Sequence, residues 1–302
     1  MTLRPDDLPV DSPRTLERAL IWYARRFPIS RGKLRVIDTA WRLAAGADSK
    51  RTAELIVGNF KAPCDLRDML QRQFYFFGTY YMERHLLDWW ANLARRSNII
   101  FDIGANGGIY SLAALAANCH AQVFAFEPTP EIAERLRWTA KINRLHSLHV
   151  HEVAVMDYSG EATLVRCRGD YGTNDGMNYI RNHQSHGHEQ VTAVNLDTLC
   201  SAQGIEQIDL MKLDIQGAEP AALRGAERLL CEHRIKTMLF ELNWGATEAN
   251  CPATQSVAIL EDCGYQFSEP RASPAWRPSG DWMRSLTDVV AAPAGRPGKE
   301  SV

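Results

Sequence analysis

The sequence lacks any apolar run near the roughly 18 residues that a membrane-spanning helix needs. It also has no marked excess of charge, because 34 Lys and Arg face 36 Asp and Glu, for a formal net charge of -2. A near-neutral chain offers little electrostatic attraction to nucleic acid. Hydrophobic residues make up 45% and charged residues 23% of the 302 positions, as in ordinary soluble globular proteins. We therefore expect neither a membrane nor a nucleic-acid partner.

The sequence contains cysteine, but not in the spacing that is typical of a disulfide framework or a zinc site. There are seven cysteines, an odd number, and no two of them form a C-x-x-C pair. This scatter argues against a disulfide framework and against a zinc site, and it indicates a reducing compartment. The first residues, MTLRPDDLPVDSPR, lack the apolar core of a signal peptide. Together these features predict a cytoplasmic protein.

The dinucleotide fingerprint G-x-G-x-x-G is missing as well, although residues 98–128 otherwise have the pattern of a nucleotide-binding unit. An apolar strand at 98–101 leads into a glycine-rich turn, and a helix follows at 110–118. A second strand at 123–126 then ends in Glu127 and Pro128. Strand, turn, helix, strand and acid predict the first half of a nucleotide-binding α/β domain.

The turn itself has the pattern Asp102-x-Gly104-x-Asn106-x-Gly108. Its glycines let the backbone approach a ligand closely, and the following helix presents the positive end of its dipole. An acid just before the first glycine would repel a pyrophosphate but can bind an ammonium group. Glu127 stands where an acid can accept both hydroxyls of a ribose. S-adenosylmethionine has an amino-acid end and a ribose but no phosphate, so the turn favours it over NAD. The predicted cofactor contacts here are Asp102, Gly104, Ala105, Asn106, Gly108, Glu127 and Pro128.

Strands and helices alternate along the rest of residues 98–292. We predict strands at 148–155, 208–213, 237–240, 265–267 and 287–291, and helices at 131–143, 197–202 and 253–263, with another ending near 231. This alternation predicts a doubly wound, mostly parallel α/β sheet, whose ligands bind beyond the carboxyl ends of the strands. The residues at these ends should therefore ring one crevice: Asp102, Glu127, Ala154, Asp214 and Glu241. Ala154 would lie beside the adenine.

Residues 1–97 precede this domain and predict a mainly helical N-terminal extension. It has helical patterns at 13–26 and 34–45 and a weak strand pattern at 54–60. The stretch from 66 to 96 is the most aromatic part of the chain. These rings either pack on the main domain, which is the commoner use, or form a wall of the acceptor pocket. The candidates for that wall are Phe74, Tyr75, Phe77, Tyr80, Tyr81 and Trp89.

Residues 157–200 interrupt the alternation. Two strand patterns, at 160–166 and 190–196, flank about 20 polar residues, and connections of that length are usually functional lids or disordered segments. We predict a β-hairpin insertion with its tip over the active site. Residues 293–302 have the composition of a flexible tail.

With these residues in view, the chain resembles the FkbM family of S-adenosylmethionine-dependent methyltransferases. The similar segments are FDIGANGGIYSL, VFAFEPTPE, VAVMDYSGEATL, VTAVNLDTL and LMKLDIQGAEPAALRGAERLL, with a looser match at FYFFGTYYMERHLL. The family usually has Lys-x-Asp-Val-Glu-Gly-x-Glu at the fourth strand, where this sequence has Gln216 in place of the first glutamate. The resemblance implies a class I methyltransferase (Rossmann-like) fold of seven strands with the last one antiparallel. It also implies O-methylation, commonly of sugar or natural-product hydroxyls.

An alcohol acceptor needs a general base, because a neutral hydroxyl is a poor nucleophile. Asp214 is the first candidate, since it ends the fourth strand. Lys212 is on the same face two residues earlier, and it either tunes Asp214 or forms a structural ion pair with it. Glu219 is a further candidate, or it stabilises the first turn of the next helix. Glu241 and Asn243 either contact acceptor hydroxyls or cap a turn.

The insertion carries three histidines, His183, His186 and His188. Their spacing fits no standard zinc motif and no cysteine is nearby, so we expect no metal site. A solvated loop accounts for them most simply. His183 stays a candidate general base, because histidine titrates near neutral pH.

The favoured interpretation is an S-adenosylmethionine-dependent O-methyltransferase that acts on a small hydroxylated molecule, a sugar or a natural-product glycoside. One alternative is an NAD(P)-dependent oxidoreductase, which the missing fingerprint and Asp102 disfavour. The other is a non-catalytic binding protein that retained the fold, for which Gln216 is the only sequence support. The sequence leaves the acceptor and the oligomeric state open.

Overall fold

The computed structural model describes residues 13–27, 32–45, 52–66, 68–79, 84–166, 168–169, 172–173, 179–181, 189–242, 252–268, 270 and 288–294. In this part of the chain the N-terminal extension consists of α1 (Thr15–Arg26), α2 (Lys33–Ala45), β1 (Thr52–Val57), β2 (Phe60–Asp65), α3 (Met69–Phe77) and α4 (Arg84–Ala94). Both predicted helices are confirmed. The predicted single strand at 54–60 is wrong, because β1 and β2 pair antiparallel with Val57 opposite Phe60. Gly58, with φ +58°, and Asn59 form the two-residue turn between them, a connection typical of hairpins.

The first half of the α/β unit follows the predicted order. It consists of β3 (Ile99–Ile103), α5 (Ile109–Ala117), β4 (Gln122–Phe126), α6 (Pro130–Ile142) and β5 (Leu148–His151). The three strands are parallel, with β3 beside β4 and β4 beside β5. Pro130 opens α6 at a position where its missing N–H costs nothing.

The next six strands belong mostly to a separate sheet. They are β6 (Ala154–Val155), β7 (Gly160–Val165), β8 (Arg168–Gly169), β9 (Gly172–Thr173), β10 (Tyr179–Arg181) and β11 (Glu189–Val194). The second sheet has the order β10-β7-β11-β6, and the antiparallel pairing of β7 with β11 confirms the predicted hairpin. The predicted strand 148–155 is wrong, because the chain leaves the main sheet after His151 and Ala154 pairs with Ala193. Since β5 lies at the edge of the main sheet, its continuation is free to pair elsewhere.

The second half of the unit completes the main sheet. It consists of α7 (Leu196–Gln203), β12 (Leu210–Leu213), α8 (Glu219–Arg224), α9 (Glu227–Cys231), β13 (Met238–Glu241), α10 (Pro252–Asp262), β14 (Tyr265–Ser268) and β15 (Asp288–Pro293). The helix predicted to end near 231 is thus two short helices. Gly225 lies between them, where a Cβ atom would be 2.0 Å from the carbonyl oxygen of Met156.

The main sheet has seven strands in the order β14-β15-β13-β12-β3-β4-β5. β15 is antiparallel to both of its neighbours, whereas β13, β12, β3, β4 and β5 are parallel. The order reverses at β3, so the crevice beyond β3 and β12 is the expected ligand site. This is the seven-stranded arrangement, with its antiparallel last strand, that the resemblance implied.

The two faces of the sheet carry separate hydrophobic cores. Side chains such as Ile100 and Val123 face a core shared with α1 to α5, and their neighbours Phe101 and Phe124 face a core shared with α7 to α10. The N-terminal extension therefore packs on the sheet itself. Trp90 of α4 is fully buried there, and its Nε1 donates to the carbonyl of Tyr110 at 2.9 Å.

The cysteine prediction needs one correction, because Cys231 and Cys263 form a disulfide. Cys231 ends α9 and Cys263 follows α10, and their Cα atoms lie 4.6 Å apart. The two residues are 32 positions apart in the sequence, so no local spacing indicates the pair. Among the described residues Cys64, Cys119 and Cys200 are free thiols.

Candidate active site

The glycine turn between β3 and α5 is held from the end of β4. The backbone N–H groups of Gly104 and Ala105 both donate to the carbonyl of Phe126 at 3.0 Å. The N–H of Asn106 donates to the Glu127 carboxylate at 3.0 Å. The turn and the acid predicted to bind ribose are therefore one hydrogen-bonded unit.

The glycines of the turn are required by close packing as well as by conformation. Gly104 has φ +80°, and a Cβ atom there would lie 1.9 Å from the carbonyl oxygen of Asp214. Gly108 has φ +76°, and its Cβ would lie 2.3 Å from the Leu136 side chain. No L side chain fits either place without a shift of the backbone or of its neighbour. The turn thus fits closely between the ends of β3, β12 and α6.

Asp102 is buried, with 1% of its surface exposed. One carboxylate oxygen accepts hydrogen bonds from the Ser111 N–H at 2.9 Å and from the Ser111 hydroxyl at 2.6 Å. The other oxygen, Oδ1, is buried without a partner. Burial raises the pKa of the Asp102 carboxyl, against the opposing effects of Lys212 and Ser111. Asp102 therefore fixes α5 with one oxygen and keeps the other available.

Glu127 is likewise buried and oriented by backbone groups. Its Oε1 accepts from the N–H of Thr129 at 2.9 Å, and its Oε2 accepts from the N–H of Asn106. The two backbone N–H groups thus hold the Glu127 carboxylate at the end of β4, beside the glycine turn. Pro128 lies between Glu127 and Thr129 and is partly exposed.

A second group of polar side chains lies at the ends of β12 and β13. The Lys212 ammonium is 2.7 Å from the Asp214 carboxylate, and Lys212 stands beside Asp102 in the strand register. The Gln216 amide donates to Asp214 at 2.9 Å and to Glu241 at 3.1 Å. Asp102, Lys212, Asp214, Gln216 and Glu241 thus form one continuous polar row across three strands.

Two acids of this row, Asp214 and Glu241, have opposite pKa shifts. Although burial opposes it, the Lys212 ammonium lowers the pKa of Asp214. Burial and then the charge of Asp214 raise the pKa of Glu241 to about 8. The pKa of Lys212 is raised despite burial, because Asp214 and Asp102 favour its charged form. At neutral pH Asp214 is therefore ionised and Glu241 is mostly protonated.

Glu219 holds the turn that leads from β12 into α8. It is 1% exposed, and its carboxylate accepts from the N–H of Ile215 at 3.0 Å and from the N–H of Gly217 at 2.9 Å. Both donors precede α8, so these bonds fix the turn before the helix. Burial raises the pKa of the Glu219 carboxyl.

The remaining predicted residues are less closely connected to this row. Ala154 is buried in β6 of the second sheet. His183 and Asn243 lie outside the described residues. Within the described ranges, no group of three His, Cys, Asp or Glu is placed to hold a metal ion.

The described side chains of the aromatic segment mainly pack in a hydrophobic core. Phe74, Tyr75 and Phe77 are buried in the core of the extension, and Trp89 is partly buried against it. Tyr80 and Tyr81 lie outside the described residues. The helix that carries Phe74 nevertheless reaches the site through Gln71, whose amide lies against Gly107. Sequence reasoning missed Gln71, Ser111 and Thr129, because no local pattern links them to the turn.

Four buried polar atoms around the turn have no partner. Asp102 Oδ1 and Asn106 Oδ1 are acceptors, Gln71 Nε2 is a donor, and Thr129 Oγ1 can act as either. Unpaired buried polar groups are rare in proteins and call for an explanation. The set suits an amino acid with an ammonium and a carboxylate, which is one end of S-adenosylmethionine. The residues present therefore fit that cofactor.

The seven-stranded sheet order and this acid and glycine turn define a class I methyltransferase fold. The chain belongs to the FkbM methyltransferase family, because the family model described as "Methyltransferase FkbM domain" matches residues 102–267, more than half of the sequence. None of the helices in the described part of the chain combines the length and the apolar character needed to cross a membrane.

Two curated relatives illustrate the family. The chain is 31% identical over 154 residues to 2-O-methyltransferase NoeI of Sinorhizobium fredii, across 47% of this chain and 63% of the relative. It is 28% identical over 159 residues to 31-O-demethyl-FK506 methyltransferase FkbM of Streptomyces tacrolimicus, across 44% and 61%. The matches thus span less than two thirds of either relative.

Solved structures resemble the chain only distantly. An O-methyltransferase from Bacillus cereus in complex with SAH matches 91% of this chain and 96% of its own, at 10% identity and a TM-score of 0.40. A likeness this weak carries no argument about the fold or the site.

Proposed function

We propose that this chain is an S-adenosylmethionine-dependent O-methyltransferase that acts on a hydroxyl of a small molecule, a sugar or a natural-product glycoside. The observation that carries the proposal is the set of buried, unpaired polar atoms around the glycine turn, next to the Glu127 carboxylate. Family membership and the similarity to the two relatives, which are named as O-methyltransferases, support the reaction type.

The residues around the turn would hold the cofactor. Asp102 Oδ1 and Asn106 Oδ1 suit its ammonium group, and Glu127 suits its ribose hydroxyls. When bound, the cofactor supplies a methyl group activated by a sulfonium. The chain then has to orient the acceptor hydroxyl, exclude water and take up a proton.

Glu241 is a better candidate for the general base than Asp214. A base works best when its pKa lies near the working pH, and the pKa of Glu241 is about 8. Asp214, whose pKa is lowered by Lys212, is a weaker proton acceptor. Its negative charge instead raises the proton affinity of Glu241, and the Gln216 amide holds the two carboxyl groups together. The proton of the acceptor hydroxyl would pass to the Glu241 carboxylate.

The test is a transfer assay with methyl-labelled S-adenosylmethionine and a panel of hydroxylated acceptors, including free sugars, glycosides and macrolide-type alcohols. Products are identified by mass spectrometry as acceptors that gained one methyl group on oxygen. Glu241→Gln is compared with Glu261→Gln, a matched change on the exposed surface of α10. We expect labelled acceptor from wild type and Glu261→Gln and strongly reduced labelling from Glu241→Gln. Methyl transfer to nitrogen or carbon, or hydride transfer with NAD(P)H, would contradict the proposal.

A further inference from the structure

The N-terminal extension places one polar side chain against the cofactor turn. Gln71 lies on α3, outside the residues that the family model matches. It is 3% exposed. A Cβ atom on Gly107 would lie 3.7 Å from Gln71 Cδ and 3.9 Å from its Nε2. The amide therefore packs directly on the glycine turn, 31 positions before the start of the matched region.

Hydrogen bonds determine which atom of the Gln71 side-chain amide lacks a partner. Gln71 Oε1 accepts from the N–H of Asp65 at 2.9 Å, and Gln71 N donates to Asp68 Oδ1 at 2.8 Å. The Nε2 group is then a buried donor with no partner. A buried donor of this kind is costly to leave unpaired, so the functional state should supply an acceptor.

The cofactor offers a suitable acceptor at this place. Its amino-acid end has an ammonium and a carboxylate on the same carbon. The unpaired acceptors of Asp102 and Asn106 suit the ammonium, so the carboxylate must lie nearby. The N-terminus of α5, a helix of nine residues that begins after Gly108, also favours a negative group.

We infer that Gln71 Nε2 donates a hydrogen bond to the carboxylate of the cofactor, so that the N-terminal extension forms part of the cofactor site. This inference rests on the proposed function, because it assumes S-adenosylmethionine as the ligand.

Gln71→Glu is the sharpest variant. It keeps an oxygen for the Asp65 N–H and replaces the Nε2 donor with a negatively charged acceptor. The full chain is titrated calorimetrically with S-adenosylmethionine and with decarboxylated S-adenosylmethionine, which retains the ammonium and lacks the carboxylate. We expect the variant to bind S-adenosylmethionine about tenfold more weakly or worse, the effect of one lost hydrogen bond to a charged group. Its affinity for the decarboxylated ligand should be unchanged or higher.

Two further variants keep the result interpretable. Gln203→Glu makes the same charge change at the exposed end of α7 and should leave both affinities unchanged. Gln71→Met removes the donor without adding charge, and it also removes Oε1, which accepts from the Asp65 N–H. It serves as the second test if Gln71→Glu does not fold, and in folded Gln71→Met only the affinity for S-adenosylmethionine should fall. Equal losses for the two ligands in a folded Gln71 variant, or no loss for either, would overturn the inference. Failure of wild type to bind either ligand would overturn the proposed function as well.

Discussion

At the scale of single residues, the proposed general base Glu241 and its neighbour Asp214 differ in their affinity for a proton. Gln216 donates to both carboxylates, and Lys212 keeps Asp214 ionised. The pKa of Glu241 is about 8 as a result of burial and of the Asp214 charge. Asp214 therefore stays ionised, whereas Glu241 gains and loses its proton near pH 8. Neighbouring acids in active sites acquire different roles through such a difference in pKa.

This separation predicts the pH dependence of turnover. A base must be deprotonated to act, so the turnover of wild type should rise with pH and level off above about 8, with about a hundredfold loss at pH 6. Glu241→Gln should lower the plateau by about 10² to 10⁴ and remove this rise. A pH series of initial rates, with Glu261→Gln as the control, measures both effects. A rise that persists unchanged in Glu241→Gln would assign the base to another residue.

A second prediction concerns Gln216, whose amide links Asp214 and Glu241. Gln216→Glu keeps the size of the side chain at a position with φ +55°, and it replaces the amide donor to Asp214 and Glu241 with a negative charge. A third carboxyl beside Asp214 and Glu241 disfavours ionisation of Glu241. The midpoint of the pH–rate profile should therefore move up by about one unit.

The same series of rates decides this prediction. The midpoint of each pH–rate profile is read from the shape of that protein's own profile. Incomplete folding therefore lowers the amplitude of the profile and leaves its midpoint in place. An unchanged or lower midpoint in Gln216→Glu would mean that residue 216 does not influence the proton of Glu241.

At the scale of elements, the site depends on how tightly the turn after β3 packs against the end of β12. Gly104→Ala would place a Cβ 1.9 Å from the Asp214 carbonyl, at φ +80°. Gly204→Ala, at the end of α7, has a similar φ of +67° and nothing within 4 Å of its Cβ. A comparison of the two variants therefore separates the cost of the left-handed backbone conformation from the cost of the steric collision.

We expect Gly204→Ala to lower the free energy of unfolding by about 1–2 kcal/mol, the cost of the left-handed conformation alone. Gly104→Ala should lower it by about 4 kcal/mol or more, because the collision is with backbone. Urea unfolding of both variants at one pH measures the difference. Equal losses of unfolding free energy in the two variants would show that the turn shifts at little cost to accommodate the added Cβ atom. They would also show that the Asp214 carbonyl does not constrain the turn.

Local patterns predicted the elements around this turn, because β3, α5 and β4 are fixed by apolar periodicity and by glycine. Contacts between distant segments were not predictable in the same way. Asp102 binds Ser111, Gln71 reaches Gly107, and Cys231 meets Cys263 only once the chain has folded. The predicted strand 148–155 failed for a related reason, since pairing with β11 competes with the main sheet for Ala154.

At the scale of the whole molecule, the N-terminal extension and the α/β domain share one hydrophobic core. Trp90 is fully buried at their junction, whereas Trp22 on α1 is 62% exposed. Trp90→Ala should therefore lower the free energy of unfolding by about 3–5 kcal/mol, and Trp22→Ala by about 0.5 kcal/mol or less.

Urea unfolding followed by circular dichroism and by fluorescence tests this prediction. Because the core is shared, both probes should report a single transition in Trp22→Ala and in wild type. Two separated transitions in wild type, with Trp90→Ala affecting only one of them, would mean that the extension folds independently of the domain.

The central claim is that the turn from Asp102 to Gly108 and Glu127 bind S-adenosylmethionine. The most direct measurement is calorimetric titration of the full chain with S-adenosylhomocysteine, with NAD as the comparison ligand, on wild type, Glu127→Ala and the exposed control Glu131→Ala. The account predicts micromolar binding of S-adenosylhomocysteine by wild type and Glu131→Ala, its loss in Glu127→Ala, and no binding of NAD. Binding of NAD alone, or equal affinity of S-adenosylhomocysteine for wild type and a folded Glu127→Ala, would contradict it.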